Sequence, residues 1–212
     1  MMKKTGSRGP KLIGLTGTYC AGKNYIAGLL EARGLPVLDV DKLGHKAVEA
    51  GREAIAARFG GGILGPDGKV NRRLLGEQVF GKPEELAALE AIVHPEANRM
   101  TETWIAEQTG PACVINAALL HHASVFSRLD FIILVRAPFL IRLLRARRRD
   151  RLPWFSLLKR LKSQKQFTAQ YFKGKADIYK VDNRGYFFLG SRVFRRNLET
   201  RIDDILSGEG IQ

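Results

Sequence analysis

The chain has 212 residues, enough for one α/β domain with a lid or an insertion, and 45% of them are apolar, a share that suits a globular core. No uninterrupted apolar run approaches the ~20 residues of a membrane-spanning helix, Met1–Pro10 lacks the apolar segment of a signal peptide, and two cysteines, Cys20 and Cys113, exclude a disulfide framework and make a reducing cytoplasm the expected compartment. The formal charge is +14, and residues 136–165 supply +10 of it, eleven Lys or Arg against one acid, Asp150; so local an excess points to nucleic acid or to a small substrate carrying several phosphates.

Met1–Pro10, basic and Gly-containing, reads as a flexible tail. Leu12–Leu15 is a short apolar run that reads as a buried strand. A loop follows in which Gly17, Gly22 and Lys23 stand at phosphate-loop spacing, and a helix opens at about Asn24 with Ile26, Leu29 and Leu30 on one face. Strand, Gly-rich loop and helix N-terminus make an anion site, because successive N–H groups converge and the helix dipole adds positive charge. Gly17 and Gly22 are expected to supply backbone angles that a side chain forbids, and Lys23 to reach the outer phosphates of a nucleotide. Asn24 departs from the motif, which has Ser or Thr here to bind Mg²⁺. Cys20 reads as a small residue that fits the loop; the alternative is a thiol activated by the helix N-terminus.

Gly34-Leu35-Pro36 ends the helix, and Val37–Asp41 reads as a second strand with two carboxylates at its C-terminal end, where open α/β sheets bind ligands. Asp39 and Asp41 would share a strand face; if a helix begins at Asp41, that residue becomes its N-cap. Lys42–Phe59 is helical with a break near Gly51, residues 60–68 are a turn-rich loop, and Asn71 starts a helix to about Phe80. Pro83-Glu84-Glu85 opens the next helix. It is expected to end at His94, with Pro95 beginning another, so that His94 is either a structural cap or a ligand contact. Ala112–Asn116 is the third strand and Phe131–Val135 the fourth, continuously apolar and hence buried on both faces. Pro138 starts a helix carrying Arg142, Arg145, Arg147, Arg148 and Arg149, and after Pro153 a further helix carries Lys159, Arg160, Lys162 and Gln164. Asp177–Asp182 is a last short strand, and Phe187–Leu206 a closing helix. Strands separated by long helical stretches imply a mainly parallel sheet, and the many helices between about 42 and 108 imply an inserted substrate-binding subdomain.

In their order and spacing these residues resemble the dephospho-CoA kinase family, P-loop kinases of the last step of coenzyme A synthesis. The resemblance runs from about Leu12 to Val193. It includes the phosphate loop, Asp39-Val40-Asp41, Asp67-Gly68-Lys69-Val70-Asn71-Arg72, His94-Pro95, Arg145 with Arg149-Asp150, Arg160-Leu161-Lys162-Ser163-Gln164, and Asp182-Asn183. It implies an α/β fold: a P-loop kinase-like parallel sheet flanked by helices, forming a single unit over 11–212, with the helical CoA-substrate subdomain at about 42–108 and an arginine-rich lid at about 138–165. The implied reaction is ATP-dependent phosphorylation of the ribose 3′-hydroxyl of dephospho-CoA, giving CoA and ADP, with Mg²⁺ as cofactor. Expected partners are dephospho-CoA and ATP, with no nucleic acid and no membrane, acting on a monomer or weak homo-oligomer.

Carried over residue by residue, the resemblance assigns ATP binding to Thr18, Tyr19, Cys20, Ala21, Gly22, Lys23, Asn24 and Tyr25, and to Asn183 in the loop that passes the adenine. Asp41 is the base for the attacking hydroxyl, and Lys23, Arg145 and Arg149 stabilise the transferring phosphoryl group. Arg145 and Arg149, four apart on one helix, point the same way, and planar guanidinium groups suit phosphate oxygens. Asp41, Arg72, His94, Arg160 and Gln164 fall at acceptor-binding positions. Three features depart from the pattern: Asn24 at the metal-binding hydroxyl, Asn116 where the family has an aspartate, and His121-His122 in place of an aromatic and a glutamate. The first two bear on the metal: Asn offers a carbonyl oxygen but no charge, which leaves Mg²⁺ to ATP oxygens, water and Asp39 or Asp41; the histidines offer a softer divalent metal as an alternative. The competing readings are a kinase for another small acceptor, a nucleotide or CoA binder without turnover, and a nucleic-acid module using the arginine-rich helix.

Overall fold

The computed structural model describes residues 9–163, 176–184 and 191–211. In chain order the elements are β1 (Lys11–Gly17), α1 (Lys23–Glu31), β2 (Val37–Asp39), α2 (Val40–Ala50), α3 (Arg52–Phe59), α4 (Arg72–Val79), α5 (Pro83–Ala106), β3 (Ala112–Asn116), β4 (Phe131–Arg136), α6 (Phe139–Asp150), α7 (Trp154–Ser163), β5 (Asp177–Asp182) and α8 (Ser191–Gly208). They fall into two compact units, residues 39–107 and the remainder.

The larger unit is built on a five-stranded sheet of order β2-β3-β1-β4-β5. β1 pairs in parallel with β3 (Leu15 opposite Asn116) and with β4 (Gly17 opposite Val135), and β4 with β5 (Arg136 opposite Asp182). The chain leaves β1 for β2 and β3 on one side and then crosses to β4 and β5 on the other. Strand order therefore reverses at β1, and the carboxyl end of β1 is the topological switch point where such sheets take their ligands. Phe131–Val135 of β4 is fully buried, as its unbroken apolar run requires. The odd-numbered positions Ile13, Leu15, Ile133 and Val135 pack with Ile26, Leu29 and Leu30 of α1 and with Leu198, Ile202 and Ile205 of α8. Period 2 on the strands thus meets period 3.6 on the helices across one core. The closing helix is described from Ser191; its expected start at Phe187 lies outside the described residues.

The 39–107 unit is helical. Ile55, Ile63, Val70, Leu75 and Val79 form its core, flanked by Leu89, Ile92 and Val93 of α5. Asn71 is not helical but caps α4, its Oδ1 accepting from the N–H groups of Arg73 and Leu74 at 3.2 Å. Two expectations change here. β2 stops at Asp39, which caps α2 by accepting from the Lys42 N–H at 3.2 Å. Asp41 lies inside the first helical turn, so the two acids do not share a strand face. The short side chain of Asp39 ends the strand by offering the freed helix donors an acceptor. Nor does the chain break at His94-Pro95: α5 is one helix of 24 residues with Pro95 inside it. Proline deprives the Ala91 carbonyl of its helical partner, yet Leu89, Ile92 and Val93 anchor the preceding turns in the unit's core.

Candidate active site

The loop after β1 is shaped by two glycines with different jobs. A Cβ on Gly17 would lie 2.7 Å from the Val135 carbonyl oxygen of β4, so this glycine is needed for close approach; its backbone angle is ordinary, contrary to the expectation. Gly22 caps α1 at φ 95°, and a Cβ there would lie 2.1 Å from Asn183 Nδ2. Cys20 also has a positive φ, 58°, uncommon for a residue with a side chain. The Ala21 N–H closes the turn on the Thr18 carbonyl at 2.9 Å.

Three side chains hold this loop from outside. Arg145 of α6 donates through Nη1 to the carbonyls of Ala21 (3.0 Å) and Cys20 (3.4 Å), and through Nη2 to Asn183 Oδ1 (2.9 Å). Asn183, just past β5 and 3% exposed, donates through Nδ2 to the same Ala21 carbonyl at 2.8 Å, while its own N–H is held by the Arg136 carbonyl at 2.7 Å. Because a peptide group is planar and trans, pinning the Ala21 carbonyl outward turns the Gly22 N–H to the opposite side. Arg149 lies 4.9 Å over the Tyr19 ring and pairs with Asp150 (Nε to Oδ1, 2.7 Å), and the Tyr19 hydroxyl donates to Asp150 Oδ2. Asn183, assigned by resemblance to the adenine loop, is in this structure a clamp on the phosphate loop, and Tyr19 is a seat for Arg149.

The two asparagines that depart from the family pattern meet each other. Asn116, the last residue of β3 and 2% exposed, donates through Nδ2 to Asn24 Oδ1 at 3.5 Å, and its own Oδ1 is buried without a hydrogen-bond partner. Neutral amide oxygens suit Mg²⁺ as weak ligands or as acceptors from metal-bound water, and an orphaned buried acceptor calls for such a donor. Among the described residues no group of three His, Cys, Asp or Glu side chains could hold a metal. The His121 and His122 rings stand edge to face at 4.2 Å, and burial with the neighbouring imidazole depresses the His121 pKa. Burial raises the Cys20 thiol pKa, with Arg149, Arg145 and Arg142 opposing, which disfavours a thiolate. Cys113, inside β3, is raised to about 11 by burial.

Of the other expected site residues, Lys23 opens α1 half-buried, with Thr18 half-buried and Asn24 and Tyr25 exposed. Asp41, Arg72 and His94 are exposed residues of the 39–107 unit, on α2, α4 and α5. Arg160 lies on α7, and Gln164 outside the described residues. Sequence reasoning gave no role to Asp150 or Arg142. The available signal was spacing: Arg142, Arg145 and Arg149 fall at i, i+3 and i+7 on one helix face.

The family model of dephospho-CoA kinase matches residues 11–185. The chain belongs to the dephospho-CoA kinase family. Among its relatives, the dephospho-CoA kinase of Anaeromyxobacter dehalogenans is 40% identical over 146 residues, covering 66% of this chain and 69% of that one. That of Geobacter sulfurreducens is 34% identical over 200 residues, covering 92% and 96%. A crystal structure from Thermus thermophilus superposes with a TM-score of 0.75 at 30% identity, covering 93% of this chain and 98% of that one. This is accordingly a phosphotransferase of coenzyme A biosynthesis on a P-loop kinase-like fold, and as a kinase it uses ATP. Among the described residues no helix is long and apolar enough to cross a membrane.

Proposed function

We propose that this dephospho-CoA kinase transfers the γ-phosphoryl group of ATP to the ribose 3′-hydroxyl of dephospho-CoA through the following division of labour. Phosphoryl transfer requires mainly positioning and neutralisation of charge on the phosphoryl oxygens. Residues Thr18–Tyr25 cradle the ATP phosphates, with Arg145 and Asn183 fixing the carbonyl side of the loop so that its N–H side faces the anion. Lys23 takes the outer phosphates, and Arg149, held by Tyr19 and Asp150, brings a guanidinium beside the loop. Asp41 accepts the hydroxyl proton as the new bond forms. Arg72, His94, Arg160 and Gln164 bind the acceptor. Bound Mg²⁺ would supply further neutralising charge on the phosphates. Asn24 Oδ1 and Asn116 Oδ1 are the residues that would face it, with ATP oxygens and water completing its shell. Two free cysteines suit the reducing cytoplasm.

The observation that carries this reading is the convergence of phosphate loop, Arg145 and Asn183 at the switch point of the sheet. The test is release of ADP with and without dephospho-CoA, followed together with CoA formation in Mg²⁺. Acceptor-dependent ADP release matched by CoA is the expected result. ATP binding without CoA would make the chain a binder, the reading that the Asn24–Asn116 pair favours. Turnover with other acceptors alone would make it a different kinase.

A further inference from the structure

Arg142 lies on α6 one turn before Arg145, on the face that meets the phosphate loop. Its guanidinium is one of three whose charge reaches Cys20. The other two are spoken for, Arg145 by loop carbonyls and Asn183, Arg149 by Asp150 and the Tyr19 ring. Arg142 differs: its Nε and Nη1 are buried, and neither has a hydrogen-bond partner among the described residues. An arginine cannot shed its proton to escape this situation, and two desolvated donors on a cation left without hydrogen bonds are a costly arrangement for a fold to keep. Asp150, the acid of α6 itself, is the last residue of the helix and is taken by Arg149 and Tyr19, and Asp182 pairs with Arg136. Residues 1–8, 164–175 and 185–190, which lie outside the description, contain no Asp or Glu. None of those segments can therefore supply a carboxylate to Arg142.

We infer that Arg142 is a third phosphate-binding guanidinium of this site, presenting its unpartnered Nε and Nη1 donors to oxygens of the nucleotide's polyphosphate. The inference rests on the kinase reading for the identity of the anion. Chemistry favours a polyphosphate because the Nε–H and Nη1–H groups diverge, and a chain of tetrahedral groups carries anionic oxygens in more than one direction to meet them. It also fits the metal side of this chain. Asn24 and Asn116 contribute no charge where the family pattern has a hydroxyl and an acid, and Arg142 would return positive charge to the phosphates.

A ligand-binding arginine and a structural one respond oppositely to removal. Deleting a structural cation lowers the stability of the free protein. Deleting an orphaned one relieves it, and the loss appears only when the anion binds. The experiment measures Arg142→Gln and Arg142→Met against wild type by thermal melting without ligand and by calorimetric titration with ATP, inorganic triphosphate and adenosine. The expected result is an unchanged or higher melting temperature, ATP and triphosphate binding weakened about tenfold or more, and adenosine binding unchanged. Arg142→Lys, which keeps the charge but loses the planar set of donors, is expected between them. A lower melting temperature with unchanged ATP affinity would overturn the inference, as would equal losses for ATP and adenosine. If both neutral variants fail to fold, the role is structural and the inference falls. Because the readout is binding, failure of CoA formation in the wild type would count against the kinase reading and leave this comparison intact.

Discussion

The Ala21 carbonyl oxygen accepts from both Arg145 and Asn183, and the residue that lets them in is Gly22. Gly22→Ala places a methyl 2.1 Å from Asn183 Nδ2 at a backbone angle of φ 95°. The left-handed conformation alone costs an L-residue about 1–2 kcal/mol, and Asn183 must also move. ATP affinity is expected to fall at least about tenfold by calorimetry; unchanged affinity would show that the clamp does not shape the loop. The metal side gives a second test. Asn116→Asp with Asn24→Ser restores an acid and a hydroxyl where the structure has two linked amides. The Mg²⁺ concentration for half-maximal CoA formation is expected to drop about tenfold, the lower end of typical outer-shell effects, and Mg²⁺–ATP should raise the melting temperature further than in wild type. An unmoved half-point would detach these residues from the metal. At this scale the sequence made the positive φ of Gly22 legible, because local spacing defines the loop glycine. It misled on Gly17, whose constraint is the β4 carbonyl of Val135, and it did not show the partners of Asn183, which lie 38 and 162 residues away. Such partners are non-local, and no period or motif encodes them.

Helix α5 shows how an element overrides its own local signal. Pro after a helical run is a stop, and at a first turn it is a start; both rules divide the chain at His94-Pro95, yet one helix runs through. Packing of Leu89, Ile92 and Val93 secures the turns before it, and the helix carries on to Ala106. Pro95→Ala restores the hydrogen bond to the Ala91 carbonyl. An interior proline costs about 3 kcal/mol, of which about 1 is offset by its stiffening of the unfolded chain. The variant is expected to be more stable by about 2 kcal/mol in urea unfolding, and a loss of stability instead would mean that packing of α5 needs the proline. Helix α6 was read more completely, since a 3.6-residue period and a run of arginines are both local. Its charges nevertheless divide by position: Arg145 and Arg149 go to the loop, whereas Arg147 bonds the Leu152 carbonyl and lies 5.5 Å from the Trp154 ring, closing the turn into α7. A charge count sees one basic segment where the structure has one face on the loop and another that closes the turn into α7.

Across the whole molecule, the parallel sheet and its flanking helices followed from strand-helix alternation, but the strand order did not, because nothing in the β3 or β4 sequence says which side of β1 it joins. That order decides function, since it puts the switch point at the phosphate loop. It also requires the sheet to be held at its opposite, amino end. There Lys11 of β1 donates to the Glu209 backbone carbonyl at 2.5 Å and to its carboxylate at 3.2 Å, and the Tyr179 hydroxyl of β5 donates to the other carboxylate oxygen at 2.7 Å. One residue beyond α8 thus ties two strands that are not neighbours. The Tyr179 hydrogen bond, and after it Lys11, holds the Glu209 carboxyl below the usual glutamate range. A carboxylate with a depressed folded-state pKa stabilises the fold above its unfolded value of about 4.3. That stability is lost as pH falls through the lower folded value. Asp203, depressed by Arg33, acts in the same direction. Glu209→Gln keeps an acceptor for Tyr179 but removes the charge. It is expected to cost about 1 kcal/mol or less at pH 7, given partial solvent screening, and to flatten part of the fall in melting temperature between about pH 5 and 3, leaving the Asp203 share. Superimposable acid limbs for variant and wild type would show that this clasp does not set the acid stability of the fold.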